Sequence, residues 1–263
     1  MIDNNSILAC PYCKVTSMKK MMVLTCKADH KHQFIMNNDV YNFIISLKDK
    51  NRDELWEKKL KKIHLMREQI KNDNKESLPL NTKDSGMVYD FIVRYINKND
   101  LFIELGSGNG VMAKYFTEYN YIGLDPIRPN KINYPFLQGI VEALPINNDS
   151  LNLCFCKDSL SYYRSLTLVF NETNRVLKKN GYFIITEFVG EYYNNPIILY
   201  IRKSVRRLIG LAQGRISWED TEFKFRLRNS IIKSIKKSNF IILKEQYKPS
   251  EKRMYIVLQK LTN

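Results

Sequence analysis

Histidine is scarce in this chain: His30, His32 and His64 are the only three, so no histidine general base exists downstream of residue 64. Long apolar runs are missing too. No stretch of 18 apolar residues occurs, and no membrane-spanning helix is expected. The opening residues, Met1-Ile2-Asp3-Asn4-Asn5-Ser6, have neither the basic nor the apolar region of a secretory signal, and we read the protein as cytoplasmic. In that compartment its five cysteines are expected to be thiols or metal ligands, not disulfides. Internal repeats and low-complexity blocks are absent as well.

Acidic residues are in deficit, 27 against 42 lysines and arginines, and the deficit is local. Residues 1–85 carry a net +5 and residues 86–195 a net −1, whereas residues 196–263 hold 16 basic and 5 acidic side chains, a net +11. Such an excess is either a solvated surface or a docking face for an anionic partner. The chain also divides by pattern. Residues 1–48 contain short strand-like pieces punctuated by cysteine and histidine. Residues 49–86 combine a charged stretch with helical spacing (52–71, through Trp56, Leu60, Ile63 and Ile70) and a polar linker, 71–86.

From residue 87 to the end, apolar strand-like runs alternate with helical patterns. Helices are expected at Val88–Ile96, Val111–Tyr119, Leu166–Leu177 and Leu227–Lys237, and strands at Leu101–Leu105, Tyr121–Leu124, Leu151–Cys156 and Tyr182–Phe188. Alternation of this kind implies an α/β domain with a doubly wound, mostly parallel sheet. Two β-rich runs, Phe240–Gln246 and Met254–Gln259, should close it as an antiparallel hairpin.

The stretch "IELGSGNG" places Glu104 ahead of Gly106, Gly108 and Gly110 at the end of the first expected strand, and "GLDP" places Asp125 at the end of the next. Glycine turns between strand and helix cradle phosphates, and an acid at the following strand end accepts ribose hydroxyls. Glu104 would repel a pyrophosphate, so the pair favours a cationic adenosine derivative. With "FLQGIVEALPINNDSLNLCF" and "NETNRVLKKNGYFIITEF" following in order, residues 86–190 resemble the class I S-adenosylmethionine-dependent methyltransferases.

That resemblance implies a seven-stranded Rossmann-like sheet and S-adenosyl-L-methionine as cofactor. Glu104 would hold the methionine amino group through water, Gly106 and Gly108 would admit the cofactor to the backbone, and Asp125 would take the ribose. Ser107 and Lys157 complete the expected cofactor set together with Ile140 and Val141. Ile140 stands where the family often has an acid for the adenine amino group, which leaves apolar stacking and the backbone at Val141.

Acceptor-facing residues of the family follow the fourth strand, here "CKDSLSYY". Asp158, Tyr162 and Tyr163 are the candidate catalytic residues, with Glu187 considered beside them. No Asn/Asp-Pro-Pro-Tyr sequence occurs, which disfavours base-amine methylation by that motif. Cys154 and Cys156 alternate on one strand and are expected in the core.

Near the N-terminus, Cys10, Cys13 and Cys26 with either His30 or His32 have the composition of a structural zinc site. The segment resembles the zinc ribbons preceding some small-molecule methyltransferases and one family of ribosomal-RNA guanine methyltransferases. In "NNPIILYIRKSVRRLIG", within a basic insertion near 191–225, Arg202, Arg206 and Arg207 are candidates to bind an anionic acceptor. The expected activity is methyl transfer to an anionic small molecule or peptide. The alternatives are an RNA methyltransferase and a binding module on a methyltransferase scaffold.

Overall fold

The structure is a computed structural model that describes residues 7–15, 17–20, 23–37, 40–45, 57, 58, 61, 65, 82–188 and 228–261. Four short strands come first: β1 (Ser17–Lys20), β2 (Val23–Cys26), β3 (Gln33–Asn37) and β4 (Val40–Tyr41). They pair antiparallel in sequence order, Ser17 facing Cys26, Val23 facing Ile35 and Met36 facing Tyr41. Of the helix expected at 52–71, the four described residues are helical.

A second sheet carries the rest. It begins after helix α1 (Thr82–Ile92) and comprises β5 (Leu101–Leu105), β6 (Asn120–Asp125), β7 (Phe136–Gln138), β8 (Leu151–Lys157), β9 (Leu177–Phe188), β10 (Phe240–Lys248) and β11 (Arg253–Lys260). Helix α2 (Leu166–Val176) joins β8 to β9, and α3 (Arg228–Ile235) precedes β10. The strand order is β10-β11-β9-β8-β5-β6-β7. The five strands from β5 to β9 run parallel, and β10 and β11 close the sheet antiparallel, as the sequence pattern indicates.

The inner strands of this sheet are covered on both faces, which is why β5, β6 and β8 are largely apolar. Period-two alternation sorts the side chains. Phe102, Leu153, Phe155, Ile184, Tyr255 and Val257 face a core built with Val88, Phe91 and Ile92 of α1. Ile103, Cys154, Cys156, Phe183, Ile185, Met254 and Ile256 face the other core, with Val169 and Phe170 of α2 and Ile231 and Ile235 of α3. Cys154 and Cys156 are fully buried there, as expected, and burial drives both thiols upward in pKa. The same core takes in Leu8, Leu24, Phe34 and Phe43 of the N-terminal segment.

Two expectations are corrected and one strand is added. Residues 82–86, assigned to the linker, form the first turn of α1. The helix expected at Val111–Tyr119 is a single 3-10 turn, Met112–Lys114, with its N–H bonds reaching back three residues: Tyr115 to Met112, Phe116 to Ala113 and Tyr119 to Phe116. Its aromatic and β-branched residues are weak helix formers, and stacking of Phe116 on Tyr121 (ring centroids 5.7 Å apart) holds the shorter path. Strand β7 was not anticipated, because three residues between turns carry no readable period.

At the carboxyl edge of the sheet, α1, β8 and β11 meet through charge. Arg253, 1% exposed, places Nε and Nη2 at 2.9 and 2.7 Å from the two oxygens of Asp84. It also binds both oxygens of Asp158 at 2.9 Å, and Lys157 Nζ lies 3.0 Å from each aspartate. Two cations and two anions balance within one buried cluster. Replacing Asp84 by Asn removes one charge and leaves the guanidinium under-neutralised, so urea unfolding should show a loss of about 3 kcal/mol. A loss near zero would mean that Asp158 alone satisfies Arg253.

Candidate active site and metal centre

Ligand crevices of doubly wound sheets lie at the carboxyl ends of the strands, next to the strand where the order reverses. Here that strand is β5, flanked by β6 and β8. The chain turns sharply after Leu105, with Gly106, Gly108 and Gly110 at φ of 79°, 57° and 73°. Glycine is required at Gly106 for a second reason: an added Cβ would lie 2.8 Å from the Cβ of Ser159. At Gly110 it would lie 2.3 Å from the Tyr134 ring, a residue that no sequence signal marked as part of this loop.

The loop is tied to β6. The N–H groups of Gly106 and Ser107 donate to Leu124 O at 2.8 and 2.9 Å. Asp125 accepts the Gly108 N–H at 2.9 Å through one oxygen and the Ile127 N–H at 2.8 Å through the other. The acid expected to meet the ribose therefore also shapes the glycine loop. The hydroxyl of Ser107 is buried and makes no hydrogen bond among the described residues, an orphaned group at the loop that a polar ligand would satisfy.

Glu104 is buried beneath the loop, and the Tyr121 hydroxyl donates to it. Burial pushes its pKa up to about 8, against the pull of the Tyr121 hydrogen bond and of Lys157. A carboxyl in that state is short of a cation. Lys157 does not supply one fully, being engaged by Asp84 and Asp158. The side chains of Ile140 and Val141, expected near the adenine, are buried in the core, 1% and 3% exposed. Glu142 beside them accepts the N–H groups of Arg164 and Ser165, linking this wall to the loop after β8.

Of the three candidate catalytic residues, Asp158 and Tyr163 are engaged by neighbouring groups and Tyr162 is exposed. Asp158 binds Arg253 and Lys157 and accepts the Phe188 N–H at 2.7 Å. Burial would raise its pKa, but Arg253 overrides this and holds it below the usual carboxylate range. Tyr163 donates to Leu105 O at 2.9 Å and shares a 2.7 Å bond with Ser159, and burial keeps its hydroxyl protonated. Tyr162 is 42% exposed. Glu187, at the end of β9, differs from these: one oxygen accepts the Leu160 N–H at 2.9 Å, and burial raises its pKa to about 8. Arg202, Arg206 and Arg207 lie outside the described residues.

The second cluster lies in the N-terminal strands. The sulfur atoms of Cys10, Cys13 and Cys26 and a ring nitrogen of His32 all fall within 4.8 Å of one another. His32 Nδ1 is 3.7 Å from Cys10 Sγ and 3.3 Å from Cys13 Sγ. Ligand atoms on a tetrahedral zinc are spaced about 3.5–3.8 Å apart by bond lengths near 2.1 and 2.3 Å, so the donor set fits such an ion. His32 is the fourth member; His30 is exposed and lies outside the group. The ring of His32 stacks on Tyr12 with centroids 4.5 Å apart, and its Nε2 lies 3.9 Å from Asp29, the kind of outer partner that orients a metal-binding imidazole.

Comparison with known proteins agrees with this geometry. Residues 103–185 match the family model described as a methyltransferase domain. The demethylmenaquinone methyltransferase of Chlamydia caviae is 26% identical over 178 residues, 62% of this chain and 76% of that one. An uncharacterized protein of Methanocaldococcus jannaschii is 31% identical over 103 residues, which span 37% of this chain and 40% of its own length. A solved structure of a possible exported protein from Bordetella parapertussis superposes with a TM-score of 0.51 at 11% identity, covering 68% of this chain and 67% of that one, and shares the fold. The protein is an S-adenosylmethionine-dependent methyltransferase. No helix among the described residues is long and apolar enough to cross a membrane.

Metal analysis of protein purified without added zinc should find about one ion per chain. His32→Ala should lose it and His30→Ala should retain it. Retention by His32→Ala would remove that imidazole from the ligand set.

Proposed function

We propose that the protein transfers the methyl group of S-adenosylmethionine to an anionic small-molecule acceptor, and that its N-terminal cluster holds a structural zinc ion. The carrying observation is the pair of acids at the glycine loop, Glu104 and Asp125, with Glu104 buried and wanting a cation. In this reading Glu104 meets the amino group of the cofactor, Asp125 the ribose, and Ser107 Oγ a polar group of the ligand. The cofactor supplies an electrophilic methyl group. The chain's own residues align the acceptor, exclude water and receive its proton, which are the main demands of a displacement at carbon.

Proton acceptance falls to Glu187 in place of Asp158, Tyr162 or Tyr163. It is the acceptor-side acid held by a backbone N–H and not by a guanidinium. Arg202, Arg206 and Arg207 hold the anionic group of the acceptor, in keeping with the +11 net charge of residues 196–263. The similarity to a quinone-modifying relative suits a small acceptor. A peptide acceptor would use the same residues. RNA is the less favoured acceptor. The N-terminal strands, a feature shared with some RNA methyltransferases, bury apolar side chains in the catalytic core and so have a structural role that needs no nucleic acid.

Calorimetry tests the cofactor site. Asp125→Ala should raise the S-adenosylmethionine dissociation constant roughly 10- to 150-fold, for the loss of charge-assisted bonds of about 1.5–3 kcal/mol. In the wild type, affinity should rise with pH up to about 8, because below its folded pKa Glu104 must release a proton before it can meet a cation. Glu104→Gln should flatten that dependence, and a mutant with undiminished affinity and slope would remove the acid from the site. For the acceptor side, reversing Arg206 and Arg207 to Glu should abolish turnover while cofactor affinity stays within a few-fold. Surviving turnover would make the arginines a solvated surface.

A further inference from the structure

The cysteine–histidine cluster and the proposed cofactor site both adjoin one short stretch of chain, residues 138–147. This stretch forms the wall expected to face the adenine, and it is fastened at both ends by the N-terminal strands. At its start, Asn42 bridges Gln138 in parallel and the Phe43 N–H donates to Gln138 O at 2.7 Å. At its end, Leu8 bridges Ile146 antiparallel, the Ala9 N–H donates to Pro145 O at 3.1 Å, and the Asn147 N–H donates to Ile7 O at 2.7 Å. Between these ends the Gly139 N–H donates to the carbonyl of Asp125 at 3.2 Å, so the fastened stretch abuts the proposed ribose acid.

The knuckle itself reaches the same wall. Lys14, one residue beyond Cys13, has its N–H on Cys10 O at 2.8 Å. Its ammonium donates to Glu172 Oε2 at 2.8 Å, and that oxygen also accepts the Leu144 N–H at 2.7 Å. Arg175 completes the tie by donating to the carbonyls of Leu144 and Ile146 at 2.9 and 2.7 Å. Cys10 and Cys26, both fully buried, belong to the same apolar core as Leu124, Ile140, Val141 and Leu144. A zinc ion bound by all four donors would draw Cys10, Cys13, Cys26 and His32 to bonding distance, and so would hold Ala9 and Lys14, which adjoin Cys10 and Cys13, against the wall.

We propose that the Cys10/Cys13/Cys26/His32 knuckle is a positioning element of the cofactor site, so that metal occupancy sets the affinity for the adenosyl ligand. The inference rests on the cofactor reading given above and on the zinc-binding donor set. Coupling of this kind is reciprocal: the adenosyl ligand tightens metal binding by the factor by which metal tightens ligand binding.

The test uses the full chain and S-adenosylhomocysteine as probe, with calorimetry on zinc-loaded protein and on protein stripped by a chelator. Circular dichroism reports whether the stripped protein stays folded. Stripping should raise the dissociation constant at least tenfold, and saturating S-adenosylhomocysteine should slow zinc release to a chromogenic chelator. Stripped, folded protein that binds the probe as tightly as loaded protein would overturn the proposal. Should stripping unfold the chain, zinc-loaded Lys14→Met decides instead: a threefold or greater loss of affinity at unchanged zinc content supports the coupling, and unchanged affinity overturns it. Loaded wild-type protein that fails to bind the probe would overturn the cofactor reading along with it.

Discussion

A guanidinium buried at the carboxyl edge of the sheet sets the terms for the rest of the structure. Arg253 stands at the start of the last strand, and it is tolerated at 1% exposure because Asp84 and Asp158 present four oxygens to it. Those aspartates come from the first turn of α1 and from the residue after β8, so one side chain ties together elements 169 and 95 residues away in sequence. An uncompensated charge in such a place would cost several kcal/mol, so the three elements are held to one arrangement. Asp158 adopts a left-handed backbone, φ 55°, to reach its place in the cluster.

Because that cluster is neutral within itself, it has little charge to lend to the acids around it. Glu104 is buried and Glu187 half-buried, each with a neutral hydrogen-bond donor against it, the Tyr121 hydroxyl for one and the Leu160 N–H for the other, and desolvation raises both pKa values to about 8 against the pull of Lys157 and Arg253. Occupation of Asp158 and Lys157 by structural ion pairs also explains why the acceptor side has so few free groups. Asp158, expected to do chemistry, and Lys157, expected to meet the cofactor, hold the edge of the sheet together.

The two ends of the sheet are treated differently. On the β10 side the order ends in an antiparallel hairpin whose outer strand shows Ile241, Ile242 and Leu243 partly exposed. On the β7 side Asn42 and Phe43 of the N-terminal segment continue the hydrogen bonding at Gln138, the last residue of the edge strand. A short strand such as β7, three residues long, has little cohesion of its own, and its position beside Asp125 is secured from outside.

Periodicity and motif order alone determined the parallel sheet, its antiparallel closure, the glycine loop with Glu104 and Asp125, and the cysteines of the knuckle. Each of these depends on residues close in sequence: alternation within a strand, an acid two positions before a glycine turn, or cysteines two apart. Only the tertiary structure decided between His30 and His32, since both lie within reach of Cys26 and the choice depends on which ring the β2–β3 turn carries toward Cys10 and Cys13. It also turned Val111–Tyr119 from the expected helix into a single 3-10 turn, as stacking on Tyr121 outweighed a weak local preference. Asp158, Lys157 and Tyr163 read in sequence as free functional groups. In space their partners are Asp84, Leu105 and Arg253, and a pairing across that much chain leaves no trace in local pattern, because the charges and hydroxyls that satisfy one another are brought together only by the packing of the sheet.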